Sequence, residues 1–441
     1  MGLGFAIIGS GPAAFYTAAA LVEAAPDCSI DIIERLPTPF GLIRYGVAPD
    51  HEHTKNVMKA YTRTALSPQV RFFGNVEIGA NVSLDELRGM YDAVVLAVGA
   101  ARDRPLGVPG DDKSGVIGSA SFVGWYNGHP DFTDLAPNLA TKGVVIVGQG
   151  NVAIDIARVL VKTPAEMARF DLCDHAAAAI DASPVEDVYM VGRRGPVEAK
   201  FTNVELREMG HLENANPVVD ASQLPASADG EMSDRDRRMK EKNLASLRGF
   251  AETPPDAAKR KRVHFSFYAA PVEVLGGAKV EGIRFERTRV EGGNAVGTGA
   301  FFEIPCGLVI AAIGYRSAPV KDTPFDVRQG IVKNDDGRVA PGLYAVGWIK
   351  RGPTGVIGTN KVDGEHCAKQ IVADLAAGAK PGRTAFETLL RQRRVRAISF
   401  KDWQAIEQAE IANARPGAPR RKFPRVADML AVLGEARAEA S

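Results

Sequence analysis

The stretch Phe5-Ala6-Ile7-Ile8-Gly9-Ser10-Gly11-Pro12-Ala13-Ala14, continued by Phe15 to Ala25 and then by Ile30-Asp31-Ile32-Ile33-Glu34, decides the reading of this chain. A short apolar run suits a strand, and the glycines that follow suit a turn. The alanine-rich run Phe15 to Ala25 favours helix. A second β-branched run then ends on an acid. Gly9 permits a tight turn, Gly11 lets the backbone approach a pyrophosphate, and Ala14, in place of a third glycine, still lets the helix pack close to the sheet. An ordinary βα turn would account for the glycines alone. The full order of strand, turn, helix, strand and acid is what a dinucleotide-binding unit requires.

Glu34 carries more information than the glycines. A carboxylate at the end of the second strand accepts hydrogen bonds from ribose hydroxyls and repels a ribose 2′-phosphate, so the first ligand is expected to be FAD or NAD and not NADP. After Glu34, the segment Leu36 to His51 holds three prolines and two glycines and reads as an ordered loop. Helix is expected from Glu52 to Ala65, strand from Val70 to Ile78, and a buried strand within Tyr91 to Ala100.

A second unit opens at Gly143-Val144-Val145-Ile146-Val147 and turns through Gly148-Gln149-Gly150-Asn151-Val152-Ala153 into a helix from Ile154 to Val161. Its second strand, Val185 to Val191, ends on Gly192-Arg193-Arg194-Gly195, where the first unit has its acid. Guanidinium groups match phosphate with paired donors. The second site is therefore expected to take the 2′-phosphate of NADPH; a solvated surface pair is the plainer alternative.

The 441 residues suffice for two or three packed domains, and 54 Lys plus Arg against 53 Asp plus Glu give a formal charge of +1. That balance points neither to nucleic acid nor to a membrane surface. Cys28, Cys173, Cys306 and Cys367 are scattered and form no CxxC. This argues against a disulfide framework, a cysteine-ligated iron–sulfur cluster or a redox dithiol. No metal site is expected. No apolar run is long enough to span a bilayer, and the chain enters a strand almost at once, so a cytoplasmic monomer without a leader is expected. The basic runs Arg235 to Lys242 and Lys259 to Arg262 read either as a solvated face or as a docking surface for an acidic partner. Strands resume from Val263 to Ile313 and at Leu343 to Gly347, and a helix is expected to end near Ala376.

The longer motifs resemble a known family. Pro39-Phe40-Gly41-Leu42-Ile43-Arg44, Gly46-Val47-Ala48-Pro49-Asp50-His51, the two turns, Gly192-Arg193-Arg194-Gly195-Pro196 and Gly347-Trp348-Ile349-Lys350-Arg351-Gly352-Pro353-Thr354-Gly355-Val356-Ile357-Gly358-Thr359-Asn360 are similar to the adrenodoxin-reductase type of ferredoxin–NADP reductase, the bacterial members above all. The resemblance implies an α/β protein with two Rossmann-like domains, an NADP-binding domain (103–321) being inserted into a discontinuous FAD-binding domain (1–102 and 322–441). It implies a flavoenzyme passing hydride from NADPH to FAD and then single electrons to a ferredoxin-type iron–sulfur protein. Ala14, Glu34, Leu42, Ile78, Trp348 and Gly355-Val356-Ile357 would lie at the FAD. Gly150, Asn151 and Val152 would meet the NADP pyrophosphate, and Arg193 and Arg194 its 2′-phosphate. Glu205 would contact NADP, although Thr202-x-x-Glu205 also has the spacing of a capping box. His51 and Glu208 would form a charge pair near the nicotinamide. Two other readings stay open: an NADPH-dependent flavin subunit of a larger redox complex, although the cysteine-rich region of such subunits is missing, and a non-catalytic nucleotide-binding redox sensor.

Overall fold

The structure, a computed structural model, describes residues 2–375, 378 and 380–439. The chain divides into two compact units. One comprises Met1–Arg102, Asn127–Pro130 and Tyr315–Ser441; the other comprises Asp103–Tyr126 and Asp131–Gly314. The second chain crossing thus falls at Gly314 and Tyr315, a few residues before the 321/322 junction expected from the sequence.

In the first unit, Gly4–Ile8 lies at the centre of a six-stranded sheet, in the order Arg338–Ala340, Leu343–Ala345, Ala93–Leu96, Gly4–Ile8, Ser29–Ile33, Val70–Phe73. All neighbours run parallel except the hairpin Arg338–Ala340/Leu343–Ala345. Helix Pro12–Ala24 crosses back over this sheet with Ala14, Phe15, Ala18 and Leu21 fully buried. Helix Thr359–Asp374 packs closely on it: a Cβ on Gly364 would stand 2.7 Å from the Thr17 amide nitrogen. The helices Arg383–Gln392, Phe400–Ala412 and Val426–Glu439 complete the unit, Trp403 and Ile406 joining the core beneath Phe40 and Tyr61.

The second unit repeats the plan. Val116–Gly118, Leu308–Ala311, Gly143–Val147, Asp187–Val191, Lys261–Ser266 and Ala215–Val219 form a parallel sheet in that order. A separate three-stranded antiparallel sheet, Ala269–Leu275, Gly282–Glu291 and Asn294–Pro305, is attached to it. Parallel strands covered on both faces carry near-continuous apolar runs, as Val144 to Val147 do.

Several local expectations need correction. The loop after Glu34 contains one helical turn, Leu42–Tyr45, set between Gly41 and Gly46. The helix expected from Glu52 to Ala65 is broken into Glu52–Lys55 and Met58–Ala65. The strand from Val70 stops at Phe73, and Ile78 makes only an isolated bridge to Val82. The polar region after Asn214 hides the edge strand Ala215–Val219, whose burial is supplied by neighbours distant in sequence. The helix expected to end near Ala376 is described to Asp374; Ala376 lies outside the described residues.

Candidate nucleotide-binding sites

The two glycine turns are built alike. The Gly9 N–H donates to the Ile33 carbonyl at 2.8 Å and the Gly148 N–H to the Val191 carbonyl at 2.8 Å, so each turn is tied to the end of its second strand. A Cβ on Gly9 would lie 2.5 Å from the Ala97 carbonyl oxygen, and one on Gly148 would lie 2.3 Å from that of Ala312. No side chain fits there. At Gly11 and Gly150 the situation is opposite, because a Cβ would meet nothing within 4 Å. Their backbones are extended (φ −79° and −128°), a conformation open to any residue. The protein itself does not need glycine at either position. A ligand backed closely against the chain does, and a pyrophosphate fits that description. Neither following helix has a side-chain cap or an acid in its first turn, which leaves both positive ends to an anion.

The acid and the arginines separate the two sites. One oxygen of Glu34 accepts from the Ser10 N–H at 3.1 Å and the Ser10 hydroxyl at 2.7 Å, and the other accepts from the Leu36 N–H at 3.0 Å. These bonds fix the carboxylate across the glycine turn. A carboxylate has about four acceptor sites, so capacity for a ribose hydroxyl remains. In the second unit Gln149 takes the place of Ser10, and its amide donates to the carbonyls of Met190 (2.8 Å) and Ser266 (3.1 Å). Its side chain lies where a Cβ on Gly192 would stand, 2.3 Å from Cγ. Beyond that plug Arg193 is exposed. Its carbonyl accepts from Thr288 Oγ1 at 2.7 Å, while the Arg194 guanidinium donates to the Gly293 carbonyl at 3.2 Å.

Two distant segments converge on the first turn. The Phe40 N–H donates to the Ser10 carbonyl at 2.9 Å, and a Cβ on Gly41 would lie 3.1 Å from Gly11 Cα, so the loop carrying Leu42 lies against the turn. Phe40 holds a φ of +83° while its ring is buried, a strained conformation of the sort that clusters at ligand sites. Behind the loop, Arg44 and Glu410 form a buried two-point ion pair at 2.5 and 3.0 Å, and Lys422 donates to the Arg44 carbonyl at 3.2 Å. Burial alone would push the Arg44 pKa down; the Glu410 carboxylate reverses this and holds the guanidinium charged. From the other side, a Cβ on Gly347 would lie 2.8 Å from Ala13 Cβ, which brings Trp348 and its loop to the same helix. Trp348 Nε1 donates to the Thr354 carbonyl at 3.1 Å, while Asp363 accepts from the Gly347 N–H at 3.1 Å and pairs with Arg351. Leu42 and Val356 stand 37% and 74% exposed, apolar surface without a protein cover at two positions the sequence assigns to the flavin. Ile78 is half-buried against the same sheet.

His51 occupies the N-cap position of Glu52–Lys55, its N–H bonded to the Ala48 carbonyl at 3.0 Å, and buried Lys55 reaches back to the Pro49 carbonyl at 3.3 Å. In the second unit the capping-box reading of Thr202 and Glu205 fails, for Thr202 makes no side-chain cap bond. The Asn151 side chain takes the Thr202 N–H at 2.8 Å, and Glu205 turns instead to Arg158, at 3.6 Å. Much of the basic charge in the two runs acts inside the unit. Arg237 donates to the Ala228 carbonyl (2.5 Å), Lys240 to Ala199 (2.6 Å), Lys259 to Leu212 (2.7 Å) and Lys261 to Leu160 (2.9 Å). The four cysteines are buried and in no disulfide, and burial pushes the Cys28 thiol up to about 11 and those of Cys306 and Cys367 to about 12. No reactive thiol pair is available to receive electrons. Among the described residues no helix is long and apolar enough to cross a membrane.

Two dinucleotide-type folds whose second strands end on opposite charges are the plan of a pyridine-nucleotide oxidoreductase. Residues 4–198 match the family described as pyridine nucleotide-disulphide oxidoreductase. The chain is 42% identical to the rat mitochondrial NADPH:adrenodoxin oxidoreductase, across 97% of this chain and 91% of that protein. It is 40% identical to the NADPH-ferredoxin reductase FprA of Mycobacterium tuberculosis, across 97% and 98%. The solved structure of that FprA in complex with NADPH superposes with a TM-score of 0.92 at 39% identity, over 98% of this chain and 99% of the other. The chain belongs to the adrenodoxin-reductase type of ferredoxin–NADP reductases, a membership that favours the reductase over the flavin-subunit and sensor readings.

Proposed function

We propose that the first of the two units holds FAD and the second holds NADP(H), and that the charge at the end of each second strand assigns them. The protein is an NADPH-dependent ferredoxin reductase, a flavoprotein oxidoreductase. When bound, FAD supplies the conversion of a two-electron hydride into single electrons for an iron–sulfur protein. The rest is the work of the chain's own residues. Gly9, Gly11 and Ala14 give the flavin nucleotide's phosphates room and a helix end. Glu34 receives ribose hydroxyls and turns away a 2′-phosphate. Leu42, Ile78, Trp348 and Gly355-Val356-Ile357 line the flavin, the last three leading into the uncapped helix Thr359–Asp374, whose positive end favours negative charge on the ring. Gly150, Asn151 and Val152 back the second pyrophosphate; Arg193 and Arg194 select the 2′-phosphate, with Glu205 contributing to the same nucleotide. His51 and Glu208 act by position and charge, since hydride transfer needs no general base.

The carrying observation is the pair of glycines, Gly11 and Gly150, that face open space and are followed by opposite charge. Purified protein is expected to be yellow and to be bleached anaerobically by NADPH much faster than by NADH. A colourless sample that takes up no FAD, or equal rates with the two nucleotides, overturns the assignment. His51→Gln is expected to retain FAD and alter the rate of flavin reduction; an unchanged pre-steady-state rate returns His51 to a structural role. We further place the enzyme in the cytoplasm as a monomer, with an exposed basic remainder (Arg235, Arg238, Lys242 and Arg260) available to a ferredoxin. Light scattering tests the first point, and the salt dependence of ferredoxin-coupled cytochrome c reduction tests the last.

A further inference from the structure

Arg158 sits on the helix Asn151–Val161 with its side chain completely buried. Three carboxylates surround it. Its guanidinium lies 2.9 Å from Asp155, 3.1 Å from Glu208 and 3.6 Å from Glu205. Exposure rises outward, from 0% at Arg158 to 15% at Asp155, 20% at Glu205 and 40% at Glu208. The cation is thus a hidden base on which two partly open glutamates rest. Those glutamates share one face of the short helix Asn203–Glu208 at i and i+3. The start of that helix is tied to the start of the first by Asn151, which accepts from the Thr202 N–H at 2.8 Å. One end of the contact is therefore fixed by an amide and the other by a guanidinium.

We propose that Arg158 is a positioning residue for the nicotinamide-nucleotide site: one arm of its guanidinium, Nη1, faces both Glu205 and Glu208 and holds the two carboxylates side by side. The proposal rests on the assignment of those two glutamates to that site. A buried arginine cannot shed its proton, so the charge is permanent. It offsets part of the repulsion among three acids, which would otherwise drive one of them to swing away. The planar guanidinium holds its Nη2 on Asp155 while Nη1 is turned toward both glutamates, a two-sided arrangement that a lysine ammonium, a point charge, does not reproduce. A purely structural clamp between the two helices would affect stability and nothing else.

The test uses the FAD-loaded, full-length enzyme and measures the rate of flavin reduction by NADPH, the dissociation constant for NADP+ and the melting temperature. Arg158→Met is expected to slow flavin reduction by about tenfold or more, and Arg158→Lys by roughly threefold, with FAD content unchanged. Glu208→Gln on its own is expected to slow reduction, and adding it to Arg158→Met should cost less than about twofold more, the non-additivity of two groups acting as one. Normal reduction rates and NADP+ affinity in Arg158→Lys or Arg158→Met, alongside an impaired Glu208→Gln, would overturn the positioning role even if the melting temperature falls. Should Arg158→Met fail to fold, the Arg158→Lys measurement decides by itself. If Glu205→Gln and Glu208→Gln both leave rate and affinity unchanged, the assignment of the glutamates falls, and the proposal with it.

Discussion

The two glycine turns are close copies in geometry and opposites in electrostatics. Both lock their first glycine beneath a carbonyl, Ala97 in one unit and Ala312 in the other, and both leave the second facing open space. Both bury the third residue, Ala14 or Ala153, completely. What differs is the residue between the glycines and the end of the next strand. Ser10 and Glu34 bond to each other, so the first site's anion is part of the turn. Gln149 bonds instead to two strand carbonyls and leaves Arg193 exposed, held through its carbonyl, with the Arg194 guanidinium resting on the Gly293 carbonyl. A fixed carboxylate suits small neutral hydroxyls, whose position must be met closely. Long cationic arms suit a phosphate, which attracts them over distance and accepts several donor directions. Each unit also hides one arginine beside its site. Arg44 is paired with a single acid, whereas Arg158 is shared among three.

The comparison can be broken most forcefully at those buried ion pairs. Glu410→Gln strands the Arg44 guanidinium and is expected to cost about 3–5 kcal/mol of stability and to loosen the flavin loop. Chemical denaturation and the flavin-to-protein absorbance ratio measure both effects, and a loss below about 1 kcal/mol would deny the pair its anchoring role. Next come the open glycines. Gly11→Ala and Gly150→Ala fit the protein without strain, yet each places a methyl where a phosphate belongs, at about 1–3 kcal/mol, or roughly tenfold to a hundredfold in affinity. The first is expected to release FAD and spare NADP+ binding, the second to do the reverse. Both apoproteins should melt like the wild type; an unaltered affinity in either would mean that no ligand backs that turn.

Smaller effects refine the charge contrast. Arg193→Ala or Arg194→Ala is expected to cost about 1.5 kcal/mol of NADPH binding, near tenfold, with NADH affected little. Unchanged discrimination in both variants would place the phosphate elsewhere. Smallest is Glu34→Gln, which keeps the shape and removes one charged acceptor, for about 1 kcal/mol of FAD affinity. Faster flavin release at unchanged melting temperature is the outcome sought, and identical release rates would reduce Glu34 to a brace for its own turn.

Much of this was legible in residue order. A glycine turn between an apolar strand and a helix is local, and the terminal acid or arginine lies a fixed distance downstream. Arg158 shows where such reading fails. The helix Ile154 to Val161 is read without singling it out, although Ile154, Ala157, Arg158 and Val161 fall on one helical stripe, and a charge on the apolar stripe is itself a signal of a buried partner. The capping box fails for a related reason, since the spacing of Thr202 and Glu205 is right but Asn151 and Arg158 compete for the same groups. The strand Ala215–Val219 is hidden because its burial comes from Lys261–Ser266 and not from its own pattern.

By itself, then, the sequence determined two glycine turns of the dinucleotide type, the opposite charge that follows each and the absence of a CxxC pair, because these depend on residues a few positions apart and on elementary charge. Only the tertiary structure decided which charges are hidden and whom they serve. Arg44 finds Glu410 and Arg383 finds Asp31 across hundreds of residues, and whether a buried cation is satisfied depends on neighbours in space that no local pattern names.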